Sequence, residues 1–60
     1  MKVIYVKSDD DNFIMEAYLD SEPLEPIAWI REIESGFVVC SAISVRRFKT
    51  LKAALEYIEK

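Results

Sequence analysis

Five features of this 60-residue chain carry side chains that could do chemistry. The first is the run Asp9-Asp10-Asp11-Asn12. Hard cations take about six or more convergent oxygens. The run lacks the glycine and the distant bidentate glutamate of a calcium-binding EF-hand loop, so it reads as a solvated turn. The second is Cys40, the chain's only cysteine. An activated thiol needs a nearby positive charge or a helix N-terminus, whereas Val38, Val39, Ala42 and Ile43 surround Cys40 in sequence. That setting predicts a small buried hydrophobe. The third is the pair Glu32 and Glu34, which lie on one face of a strand as two solvated carboxylates rather than an acid and base flanking a substrate. The fourth is Trp29, which can stack on a base, fill a partner's pocket or anchor its own strand. The fifth is the basic cluster Arg46, Arg47 and Lys49, with Lys52 and Arg31 as possible additions. It precedes a helix start, where backbone N–H groups can also meet an anion.

What is missing narrows the chemistry further. The chain has no histidine. Ser–His and Cys–His nucleophilic pairs are therefore unavailable, as is a Cys/His zinc site. A single cysteine cannot close an intramolecular disulfide and suits a reducing compartment. The expectation is a cytoplasmic, non-catalytic chain with no cofactor, no metal and no catalytic residues.

The elements that position these groups follow from apolar periodicity. Lys2 to Lys7 (KVIYVK) is β-branched and aromatic and too short for a helix, which predicts a strand. Ser8 to Asn12 is turn chemistry. Phe13 to Leu19 alternates, with Phe13, Met15, Ala17 and Leu19 on one face and Ile14, Glu16 and Tyr18 on the other. Pro23 and Pro26 make residues 20–26 an extended surface loop. Ile27 to Glu34 alternates again and leads into Ser35-Gly36, a tight-turn signal containing the only glycine. Phe37 to Val45 reads as one fourth strand. Because it is apolar on both faces, it should lie inside a sheet. Thr50 is a helix N-cap, and Leu51, Ala54, Leu55 and Ile58 share one helical face. The predicted fold class is α+β. A small antiparallel four-stranded sheet, two hairpins, carries one C-terminal helix on one face, in the order ββββα. Residues 1–60 form a single domain.

One short helix cannot cover two apolar sheet faces. Tyr5, Tyr18, Trp29, Ile30 and Phe37 are the candidates for the uncovered surface, and surplus of this kind marks an interface. A domain this small has little stability to spare, and neither disulfide nor zinc is available to add to it. Self-association is the remaining route, so a homodimer is expected, either sheet to sheet or edge to edge.

The charge balance adds a direction. Residues 1–30 carry two basic and seven acidic side chains, a balance of −5; residues 31–60 carry six basic and four acidic, a balance of +2. An anionic partner would meet the second half, through Arg46, Arg47 and Lys49. The net charge of −3 works against general affinity for nucleic acid. After Met1-Lys2 the apolar run ends at Val6. That is too short for a leader's apolar core, and no stretch approaches the ~20 residues of a membrane span. The functional expectation is a homodimeric protein–protein interaction module, accessory or regulatory. The alternative is a small nucleic-acid-binding regulator using the basic strand–helix junction.

Overall fold

Period-two alternation builds five strands. The computed structural model describes residues 2–60. In chain order the elements are β1 (Val3–Lys7), β2 (Met15–Leu19), β3 (Ala28–Ile33), β4 (Gly36–Cys40), β5 (Val45–Phe48) and α1 (Leu51–Ile58). The strands form one antiparallel sheet in the order β1-β2-β3-β4-β5, each paired with its neighbour in sequence. The α+β class stands; the four-stranded count does not.

The extra strand arises at Ser41 to Ser44. These residues turn the chain between Cys40 and Val45, which pair across the hairpin. The Ser41 amide donates to the Ser44 carbonyl at 2.9 Å, and the Ser44 amide donates to Ser41 Oγ at 3.2 Å. Serine hydroxyls mimic backbone partners in this way and make turns without glycine or proline. The turn splits the run predicted as a single strand from Phe37 to Val45. It leaves Ile43 at its tip, 94% exposed, and moves Val45 to the face opposite Val39. The second predicted strand also begins later, at Met15 rather than Phe13.

Two other junctions form at the predicted turns, the second one residue earlier than the Ser35-Gly36 turn read from the sequence, because Gly36 already pairs as the first residue of β4. At Asp9 to Asn12, Asp10 Oδ1 accepts from the Asn12 amide at 2.9 Å, and the Phe13 amide donates to the Asp10 carbonyl at 3.0 Å. Between β3 and β4, Ile33 pairs with Gly36 across Glu34-Ser35. Gly36 has φ +147°, the only positive φ among the described residues.

The helix is capped by Thr50, whose Oγ1 accepts from the Ala53 amide at 3.1 Å. It packs on β4 and β5 and buries Ala54 and Ile58. Together with Ala17, Ala28, Ile30 and Val39 of the sheet they form the core. Ile30 and Val39 are the largest fully buried side chains, and they face each other across β3 and β4. No helix among the described residues is long and apolar enough to cross a membrane.

Candidate functional site

Directly paired residues in an antiparallel sheet project from the same face, so the register sorts the side chains into two sets. The helix-covered face carries Val3 and Tyr5 of β1, Ala17 of β2, Ala28 and Ile30 of β3, Phe37 and Val39 of β4, and Arg46 and Phe48 of β5. The open face carries Ile4 and Val6, Glu16 and Tyr18, Trp29, Arg31 and Ile33, Val38 and Cys40, and Val45 and Arg47. The helix does not lie over this second set, since α1 makes its sheet contacts with β4 and β5 from the other side; Phe13 packs on Trp29, and Pro23 and Leu24 border Ile4, Val6 and Tyr18.

The five residues expected at the uncovered surface divide between the faces. Tyr18 and Trp29 lie on the open one. Tyr5, Ile30 and Phe37 lie on the helix side. Ile30 is fully buried in the core, and Phe37 packs against it. The Tyr5 hydroxyl donates to Glu59 Oε2 at 2.6 Å, tying β1 to the end of the helix. Burial, then the bond to Glu59 and its negative charge, raise the Tyr5 pKa. Sequence reasoning did not single out Ile4, Val6 and Val45, whose exposures are 36%, 42% and 66%. The only signal for them was the alternation of KVIYVK and of Val45-Arg46-Arg47, which separates two faces without saying which one is covered.

The open face mixes apolar side chains with Glu16, Arg31 and Arg47. Trp29 packs against Phe13 with ring centroids 6.4 Å apart, within the range of a favourable aromatic pair. Val38 is 9% exposed, and its cross-strand neighbours are Arg31 and Arg47. Arginine stems are aliphatic and suit such a position. At the margin, Glu16 accepts from the Tyr18 hydroxyl at 2.7 Å and from Ser8 Oγ at 3.1 Å. That bond to Glu16 is the main reason the Tyr18 pKa is raised, with desolvation and the charges of Glu16 and Asp9 adding to it. Cys40 is half-buried beside Trp29 on this face.

The basic cluster does not survive folding as a unit. Strand alternation sends Arg46 to the helix side, where its guanidinium sits 5.4 Å from the centroid of the Tyr57 ring. Arg47 points to the opposite face, and with Lys49 it borders a shallow depression of about 300 Å³ near Ile33 and Ser35. A separate open groove of about 610 Å³ runs between the start of β3, the Ser41–Ser44 turn and the end of α1. Its lining is largely apolar, and the Tyr57 hydroxyl within it is already hydrogen-bonded to Ser44 at 3.2 Å. Among the described residues, no three Cys, Asp or Glu side chains are grouped as metal ligands. The chemistry this surface offers is burial of apolar area framed by charge.

Comparison of the chain with protein-family models, with curated proteins and with solved structures finds no match.

Proposed function

We propose that this chain is a non-catalytic protein–protein interaction module that acts as a homodimer through the open face of its sheet. One observation carries the reading: Ile4, Val6 and Val45 are exposed apolar side chains on the sheet face opposite the helix, with half-buried Tyr18 and Trp29 between them. Exposed apolar side chains gathered on one face are a mark of an interface.

The test is hydrodynamic. At ~100 μM, far above a micromolar dissociation constant, light scattering should give twice the chain mass of 7.0 kDa. Val45→Glu places a charge on the exposed part of the face and should return the monomer mass with an unchanged circular dichroism spectrum. A wild-type chain that scatters as a monomer at this concentration ends the homodimer reading.

The separation of Arg46 from Arg47 supports this reading over the nucleic-acid alternative. Three basic side chains, Arg31, Arg47 and Lys49, remain on that side of the sheet, enough for only weak phosphate contact. At ~150 mM salt, where charges are screened beyond about 8 Å, fluorescence anisotropy with short duplex and single-stranded probes should show no binding below ~1 μM. Tight, salt-sensitive binding lost in Arg47→Ala/Lys49→Ala would reverse the preference.

A further inference from the structure

The edges of the sheet are β1 and β5. An edge strand presents backbone N–H and C=O groups that a further strand can take up. The bonds to β2 show which groups of β1 these are. The Asp20 amide donates to the Lys2 carbonyl at 3.1 Å, and the Ser8 amide donates to the Ile14 carbonyl at 3.4 Å. Lys2 and Ser8 therefore turn their backbone groups toward β2. Along an antiparallel ladder such residues alternate with residues that turn theirs away. Ile4 and Val6 thus bond inward, while Val3, Tyr5 and Lys7 direct N–H and C=O outward, at the spacing one added strand requires.

Side chains and charge describe what fits this edge. Ile4 and Val6 are exposed on the open face. They border a depression of about 330 Å³ shared with Tyr18, Pro23 and Leu24. Apolar side chains at alternate positions of an added strand would lie beside them. Lys2 and Lys7 sit at the ends of β1, but acidic side chains outnumber them. Asp9, Asp10 and Asp11 follow β1, and Asp20 and Glu22 lie at its other end; all five are exposed. Because strand order follows chain order, the −5 balance of residues 1–30 belongs to the β1 side of the sheet. A second copy pairing through β1 would bring that negative side against itself. The opposite edge, β5, carries Arg46 and Arg47 with Lys49 close behind, so it repels a basic partner.

We infer that β1 is a docking edge for a basic, extended segment of a partner protein, which joins the sheet as a further antiparallel strand beside Val3, Tyr5 and Lys7. Main-chain bonds supply affinity at such an edge, and alternate side chains supply specificity. Complementary charge sets partner choice. The edge lies at the side of the sheet, so the inference goes beyond the homodimer reading and does not depend on it.

The probe is a synthetic peptide, acetyl-Lys-Lys-Val-Thr-Val-Thr-Val-Lys-Lys-amide, titrated into the full chain by calorimetry. It should bind about tenfold or more tighter than the same peptide with glutamate for lysine, and more weakly as salt rises. Two variants of exposed Lys7 separate backbone from charge. Lys7→Thr keeps the outward N–H and removes a positive charge, so it should bind the lysine peptide at least as tightly as wild type. Lys7→Pro removes the same charge and the outward N–H, and leaves the bonds to β2 in place. It should bind about fivefold or more weakly than Lys7→Thr. A further comparison leaves the protein unchanged. The threonine amides face β1 when the valines lie beside Ile4 and Val6, so N-methylation of both threonines should weaken binding more than N-methylation of two valines. No binding to wild type, equal binding by Lys7→Pro and Lys7→Thr, or a preference for the glutamate peptide would overturn the inference. A wild-type monomer that binds as described ends the homodimer reading alone; a dimer that does not bind ends this inference alone.

Discussion

Gly36→Ala is expected to remove most of the chain's folded population. Two independent features of the site lead to this. The backbone at Gly36 has φ +147°, a region that residues with a Cβ occupy only at a cost of about 1–3 kcal/mol. A Cβ at this position would also fall well inside contact distance of the Phe48 carbonyl oxygen and 3.0 Å from Lys49 Cα. Both obstacles are backbone atoms, so no flexible side chain can swing aside. Relief would require β5 to move away from β4, and the Phe37–Phe48 pairing lies beside the obstruction. A domain of this length has roughly 3–5 kcal/mol of net stability to lose. Urea titration followed by circular dichroism should find the variant largely unfolded without denaturant. Ser35→Ala in the adjacent exposed turn should shift the midpoint by no more than the equivalent of about 0.5 kcal/mol. An unshifted midpoint for Gly36→Ala would show that β4 and β5 are not this close.

Ile30→Ala should be nearly as damaging, by a different route. Ile30 is fully buried in the middle strand, opposite Val39 and against the helix-side core. Truncation removes apolar contacts and leaves a cavity, for about 2–5 kcal/mol. Ile30→Val should cost about 0.5–1.5 kcal/mol. The graded pair separates a packing loss from a backbone effect, because the Ile30 carbonyl accepts the Ile14 amide at 2.8 Å in either variant. Equal midpoints for wild type and Ile30→Ala would place this side chain outside the core. The same residue was a reasonable interface candidate from sequence, since Trp29 and Ile30 are adjacent and both apolar. Their opposite fates, one on the open face and one sealed in the core, follow from the half-turn between successive strand residues.

Several elements were legible directly. KVIYVK is β-branched and too short for a helix, and it forms β1. The helix was marked by the Thr50 cap and by Leu51, Ala54, Leu55 and Ile58 on one face. Gly36 was marked as the one residue suited to positive φ. The Ser41–Ser44 turn was not legible. Its signal was two serines three residues apart, without glycine or proline, inside a run otherwise apolar enough to be one strand. Side-chain hydrogen bonds to the backbone decide such a turn, and the period of two carries straight through them.

The sequence by itself determined the local chemistry: strands from β-branched alternation, one amphipathic helix, and a polar group set without histidine. Only the tertiary structure decided which side of the sheet that helix covers. Strands apolar on both faces satisfy either choice, and the outcome rests on the Ala54 and Ile58 side of α1 meeting Ile30 and Val39. The same docking turned Arg46 toward Tyr57 and left Arg47 on the opposite face. It left Ile4, Val6 and Val45 exposed. A charge imbalance along the chain became one across the sheet because each strand pairs with its neighbour in sequence. That is a property of pairing between distant backbones, absent from any local stretch of residues.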